Sequence, residues 1–301
     1  MIFVIFYTII LLFIDRNAVT KQCLCALAQW YESMIPSLFP MMMISSIAVD
    51  TGYAVQLGTF CNKTLFRFMR LSDPGCFCLI SGFLFGFPMG AKTTADMLKK
   101  QYISLEEAEF LLSFINCIGP MYVVNLIHTL FGQYALWKFM TGIYALPICY
   151  GIVLRYTLYR RYHFENKTTK YINKHNISNK ISLLDALYEC VPKCGKSILM
   201  LGGYMILFQI SFIPLKHLLQ SINLVTNKLY PLLELTGGLL QLPSKIPLSC
   251  ILFYVTFGGA CCLLQTYSFL HPAGLSTRKY MFHKIILGIL VSLYGILVEI
   301  F

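Results

Sequence analysis

A chain of 301 residues with 57% hydrophobic and only 12% charged side chains falls far below the roughly 25% charge of soluble domains, which excludes an ordinary water-soluble enzyme. With 23 Phe, 19 Tyr and 13 Met and a mean hydropathy of +0.67, it has more apolar side chain than one core of this length hides, so the excess faces lipid. The net charge of +11 is scattered through short breaks between apolar runs and forms no basic domain, which argues for membrane topology signals and against nucleic acid as a partner.

In chain order, Met1 to Ile14 is an apolar start that is short for a span of about 20 residues. No small-residue cleavage site follows it, so it reads as an uncleaved signal-anchor or the stub of a span. Apolar runs bounded by charge predict spans at 33–49, 108–131, 134–154, 186–213, 249–270 and 281–301. Two stretches are interrupted by glycine and proline: Leu71 to Met89, and Leu232 to Pro247. Both are read as re-entrant hairpins. The basic loop from Arg155 to Lys180 is placed in the cytoplasm by the positive-inside rule. Alternating the spans from there puts eighteen of the 24 Lys and Arg inside, Lys92, Lys193 and Lys284 among them.

The order of elements then repeats. Residues 20–158 and 183–301 each run span, amphipathic segment (Tyr53 to Arg70; Lys216 to Tyr230), hairpin, glycine-broken span, span. Three crossings per repeat make the two copies inverted. The expected fold is therefore an all-α polytopic membrane protein of two inverted repeats, each with a re-entrant hairpin and a broken transmembrane helix. Its parts are an N-terminal hydrophobic segment (1–19), repeat 1 (20–158), a basic cytoplasmic linker (159–182) and repeat 2 (183–301).

The breaks fall at Asn116-Cys117-Ile118-Gly119-Pro120 and at Phe257-Gly258-Gly259. A break at membrane depth exposes N–H and C=O groups that cost several kcal/mol each, of order, unless protein, water or ligand satisfies them. Paired hairpins and breaks therefore predict a midplane site, with half-helix N-termini offering N–H groups to an anion. The candidate substrate-binding residues are Gly86, Pro88, Gly90, Lys92, Thr93, Asn116, Gly119 and Pro120 in repeat 1, and Glu234, Thr236, Gly237, Gly238, Gly258, Gly259 and Gln265 in repeat 2. The blander reading of each single glycine is close helix packing. Glu234 reads either as a cation- or proton-binding carboxylate at membrane depth or as a helix N-cap. Lys92 reads either as an anion-attracting group or as a marker of the cytoplasmic edge.

Other patterns do not carry chemistry. Gly195-Lys196-Ser197 lacks the earlier glycine of a phosphate loop, because position 190 is Cys. The sequons at Asn62, Asn166 and Asn176 fall on the cytoplasmic side and are expected to be unmodified. The six histidines are dispersed, and the cysteines, with no C-x-x-C, read as small apolar packing residues. Ser104 to Glu107 reads as a capping box, and Asp185, Glu189, Lys193 and Lys196 as an interfacial charge ladder. No cofactor, metal or catalytic group is expected.

Trp30 with Ile35-Pro36-Ser37-Leu38-Phe39-Pro40, Ser81-Gly82, Gly86 through Thr93, Ser104 to Glu109, Phe114-Ile115-Asn116 with Gly119-Pro120, Gly202-Gly203, Leu233 through Gly238, and Phe257-Gly258-Gly259 with Gln265 occur in an order that resembles the YlbJ family of sporulation integral membrane proteins. The resemblance covers roughly residues 25–300. It implies two Gate or nucleoside-recognition domains, residence in the outer forespore membrane of the mother cell, and movement of dipicolinic acid toward the forespore. Phe87 and Met89 depart from the residues more usual there, and the chain is shorter than that family's usual length. The leading expectation is a transporter or facilitator of a small organic anion. A nucleoside-type carrier, a non-transporting scaffold for spore maturation and an intramembrane hydrolase are the alternatives, the last wanting acidic and arginine residues clustered at depth. Expected partners are the anionic substrate, the bilayer, and either a second copy of the chain or other sporulation membrane proteins.

Overall fold

A computed structural model describes residues 15–63, 67–164, 183–221, 226–243 and 245–300. Met1 to Ile14 and most of the basic linker lie outside the described residues. Those described are helical, with no strand among them. Five helical segments are long and apolar enough to cross a membrane: Arg16–Asp50 (α1), Leu136–Tyr156 (α7), Leu184–Ile213 within Leu183–Ser221 (α8), Leu248–Ala273, and Thr277–Ile300 (α13). The fourth is divided into Leu248–Phe257 (α11) and Gly259–Leu270 (α12) by two glycines at φ +86° and +76°.

The broken span predicted at 108–131 is two pieces, Leu105–Leu112 (α5) and residues 120–130 (α6), separated by non-helical backbone at the expected break. The first helix starts at Arg16, well before the predicted residue 33. Charges at Arg16, Lys21 and Glu32 end a hydropathy window, but they do not end a helix, since all three are good helix formers.

Between the spans lie Tyr53–Cys61 (α2), and a helix pair Asp73–Phe85 (α3) and Met89–Lys99 (α4) joined by Gly86-Phe87-Pro88. In the second half Thr226–Leu233 (α9) reverses at Glu234 into the short Leu235–Leu240 (α10). The first turn-back thus extends to Lys99, ten residues beyond its predicted end.

Local chemistry sets the ends of these pieces. Ser72 caps α3, its Oγ accepting the Gly75 N–H at 3.1 Å, with Pro74 in the first turn where its missing N–H costs nothing. Ser104 caps α5 through the Glu107 N–H at 3.2 Å. The Glu107 carboxylate also has partners on another helix. It reaches across to α3 and accepts both the Ser72 N–H and the Ser72 hydroxyl, each at 2.8 Å. The charge ladder likewise reaches other helices: Lys193 lies 3.7 Å from Asp50 and 3.8 Å from Asp96, tying α8 to α1 and α4.

Because Glu107 is fully buried, losing its carboxylate leaves two donors at the start of α3 without an acceptor, each costing about 1–3 kcal/mol. We expect Glu107→Ala to lower the unfolding midpoint by several degrees in detergent, and Glu106→Ala, on the same turn but not capping α3, to leave it within about 2 degrees. Thermal unfolding followed by circular dichroism checks this.

Packing joins the two halves of the chain. Trp30 of α1 lies against Gly202 of α8, where an added Cβ would come within 2.7 Å of the indole nitrogen, and that nitrogen donates to the Ile198 carbonyl at 2.9 Å. Gly295 of α13 meets the Ser249 backbone of α11, and Gly142 of α7 meets Tyr294. Small residues let these helices approach closely, as association in lipid favours. On the other faces Leu199, Leu290, Leu293, Leu297 and Ile300 are exposed, a stripe that water would penalise at about 25 cal/mol per Å² and lipid does not.

Candidate functional site

Each half of the chain docks a helix reversal against a broken helix. Gly86, at the α3–α4 turn, has φ +79°, and a Cβ there would fall 2.4 Å from the Gly119 nitrogen. In the second half, a Cβ on Gly259 would fall 2.7 Å from the Pro231 carbonyl oxygen, and one on Gly238 would fall 2.4 Å from the Pro231 nitrogen. So Gly86 and Gly119 hold the first reversal on the first break, while Gly238 closes the second reversal on itself and Gly259 holds that reversal on the second break.

The two assemblies meet. Phe87 at the first turn comes within 3.1 Å of the Cβ position of Gly258. The Tyr122 hydroxyl, just past the first break, donates to Thr236 Oγ1 of α10 at 3.0 Å. Asn116 occupies the junction: its side-chain nitrogen donates to the Tyr280 hydroxyl at 2.8 Å and to Thr266 Oγ1 at 3.3 Å, and its oxygen accepts the Ala91 N–H of α4 at 3.4 Å.

Lys284 of α13 holds this junction together, and it was not among the residues the sequence nominated. It is 3% exposed. Its ammonium donates to the Asn116 carbonyl in the first break and to the Thr256 carbonyl, at 3.0 Å, beside the second. It also sits 4.1 Å from the centre of the Phe87 ring, within cation–π range. Among the described residues no carboxylate pairs with it. Counted by sequence among the cytoplasmic lysines, Lys284 has its side chain buried against the two breaks. The buried stripe Tyr280, Lys284, Leu287, Gly288, Val291 and Gly295 repeats at helical spacing, and that period was the readable signal for its inward face.

The remaining nominated residues divide. Gly90 packs against Gly82 and Asn116, and Pro88 and Pro120 open α4 and α6. Thr93 is fixed by Ser45 at 2.8 Å and Ser81 at 2.7 Å. Lys92 is buried but ion-paired with Asp96 at 2.9 Å, so its charge is already balanced. Gln265 is buried, its amide nitrogen 3.3 Å from the Cys261 sulfur.

Glu234, 3% exposed, takes the N–H groups of Thr236 at 3.0 Å and Gly237 at 2.6 Å. Thus N–H groups at the starts of α4 and α10, expected to face a ligand, are used within the chain by Asn116 and Glu234. Around Glu234 the structure adds Gln29, Gln209 and Tyr230, isolated polar residues that the sequence reading passed over.

These features define an all-helical, multi-pass integral membrane protein whose broken helices converge on a buried lysine. Over 248 residues the chain is 28% identical to the sporulation integral membrane protein YlbJ of Bacillus subtilis (strain 168), a match covering 77% of this chain and 60% of that protein. This similarity supports the YlbJ family assignment suggested by the order of the motifs. No protein-family profile and no solved structure matches the chain.

Proposed function

We propose that the chain is a sporulation membrane protein that transports or facilitates passage of a small organic anion, dipicolinate being the expected substrate across the outer forespore membrane. On this reading residues 20–158 and 183–301 are two inverted Gate-like repeats, and the α3–α4 and α9–α10 reversals are the tips of re-entrant hairpins. The carrying observation is Lys284, a buried cation with no carboxylate partner among the described residues, held where both breaks and the first reversal meet. Removing an ammonium from water costs several kcal/mol, of order, and a lone buried charge is retained where something compensates it. A carboxylate substrate supplies the missing charge, and a charge-assisted hydrogen bond orients it. The two backbone carbonyls aim the ammonium without neutralising it.

The nucleoside-type reading gains one observation. Tyr122, Thr236, Thr266 and Tyr280 bring more hydroxyl groups to the junction than the sequence suggested. Most of that capacity is spent between Asn116, the threonines and the tyrosines themselves, whereas the ammonium charge is unspent, which favours the anion.

The test is uptake of labelled dipicolinate into proteoliposomes holding the purified full chain, with labelled nucleoside assayed beside it. Saturable dipicolinate entry, not competed by the nucleoside, is the expected result. Entry of nucleoside alone replaces the substrate class. No entry of either, from protein shown to be folded, replaces transport with the scaffold reading.

A further inference from the structure

A second polar centre surrounds Glu234, and its composition differs from that of the lysine junction. Three separate helical elements supply it. Gln209 of α8 donates from its amide nitrogen to Gln29 Oε1 of α1 at 2.7 Å and to Glu234 Oε2 at 3.4 Å. Gly237, at the start of α10, shows how tightly the groups gather: a Cβ there would fall 2.9 Å from Glu234 Oε2, 3.1 Å from the Tyr230 hydroxyl and 3.3 Å from Gln209 Nε2. No cation pairs with Glu234 among the described residues.

Two fully buried oxygen atoms in this centre, Gln209 Oε1 and the Tyr230 hydroxyl, have no hydrogen-bond partner among the described residues. Such atoms are uncommon in folded proteins, and each calls for a water, an ion or a functional account. Here they stand beside a carboxylate whose negative charge no side chain balances. Two oxygens, Gln209 Oε1 and Tyr230 Oη, are therefore unspent beside a single formal charge, while Glu234 Oε2 and Gln29 Oε1, which accept from the Gln209 amide at 3.4 and 2.7 Å, keep further lone pairs. Oxygen ligands of this kind suit a hard cation, and one carboxylate matches one positive charge better than two. A water molecule would satisfy the orphan oxygens but leave the charge. A proton would neutralise the carboxylate but satisfy one orphan at most.

We propose that this centre binds a sodium ion, held by Glu234, Gln209, Tyr230 and Gln29, and that the ion is coupled to movement of the substrate. The coupling half rests on the transporter reading; the binding half does not. Physical continuity supports coupling. Glu234 and Gly237 belong to the α9–α10 reversal, Gln29 and Gln209 to the long helices α1 and α8, so the ion ties the reversal to its support. Thr236 of the same reversal holds Tyr122, next to the first break, so ordering the reversal also orders one wall of the lysine junction.

The experiment is equilibrium binding of labelled sodium to the purified full chain in nanodiscs, at constant ionic strength made up with choline. A parallel thermal-unfolding series uses sodium, potassium and choline. One saturable site per chain, and an unfolding midpoint raised by sodium more than by potassium or choline, is the expected result. Tyr230→Phe keeps the ring, which stacks on Phe212 with centroids 3.7 Å apart, and removes only the hydroxyl; it should weaken sodium binding severalfold. Gln209→Leu should weaken it at least tenfold, and Glu234→Gln should abolish it.

Equal stabilisation by all three salts, no saturable binding to wild type, or unchanged affinity in Tyr230→Phe and Gln209→Leu overturns the site. Uptake in proteoliposomes separates the two claims. Dipicolinate accumulation driven by an inward sodium gradient supports coupling, and accumulation driven only by a pH gradient overturns it even where sodium binds. Sodium binding without any uptake overturns the transporter reading and leaves the ion site standing.

Discussion

Lys284→Met is expected to abolish anion uptake while leaving the protein folded. Methionine matches the length and flexibility of the lysine stem and fills the same gap, so the packing of α13 against the two breaks survives. Two effects on stability oppose one another. The Asn116 and Thr256 carbonyls lose a donor, which costs about 1–3 kcal/mol per buried group at most. The variant also no longer buries a lone ammonium, and replacing buried charge by an apolar side chain is often neutral or stabilising by roughly 1–4 kcal/mol. The unfolding midpoint in detergent should therefore move by only a few degrees.

Transport has no such compensation. Removing one partner of a buried charge pair costs roughly 2–5 kcal/mol, which is about 30-fold or more in affinity for a carboxylate substrate. Lys284→Arg keeps the charge but presents a broader, planar head, and should recover part of the uptake with altered substrate preference. Full uptake in Lys284→Met at matched protein level removes the lysine from the binding site and with it the main support for an anionic substrate. Loss of both folding and uptake in Lys284→Met, together with normal uptake in Lys284→Gln, shows a structural role only.

Lys284 also marks the limit of what local pattern reveals. The breaks at Asn116 to Pro120 and Phe257 to Gly259 were legible because proline and glycine act on the backbone within a residue or two of themselves. The reversal at Gly86 to Pro88 was legible for the same reason. A lysine near the end of an apolar run carries no comparable local mark, since lysines at such places commonly lie at the membrane edge. Its partners are far off in sequence: Asn116 is 168 residues away. The second role of Glu107 was hidden in the same manner. Its spacing from Ser104 fits a capping box, and Ser104 does cap the helix, but nothing local shows that a helix 35 residues earlier offers the carboxylate two donors at once. Gln209 and Tyr230 escaped because one polar residue inside an apolar run looks alike whether it faces lipid headgroups, a neighbouring helix or an ion.

Gly86→Ala is expected to be the most damaging single-methyl change in the first half of the chain. Two independent costs add. The residue sits at φ +79° and ψ −170°, a region that is essentially reserved for glycine and costs other residues about 1–3 kcal/mol. The new Cβ would also lie 2.4 Å from the Gly119 nitrogen and 2.9 Å from its Cα. Both are backbone atoms, so no side chain can swing aside. Relief requires the α3–α4 turn to withdraw from the first break. That withdrawal would carry Phe87 away from Lys284 and Gly258 and pull Asn116 off the start of α4.

The variant should therefore lose uptake and unfold at least about 10 degrees lower, since roughly 1 kcal/mol moves the midpoint of a chain this size by a few degrees. Gly203→Ala is the matched control. It adds the same methyl within helix α8 where nothing lies within 4 Å of it, and alanine in a helix gains about 0.5–1 kcal/mol over glycine. That variant should be as stable as the parent or slightly more so. If Gly86→Ala unfolds no earlier than Gly203→Ala and still transports, the turn does not rest on the break, and the junction at Lys284 loses the wall that Phe87 provides.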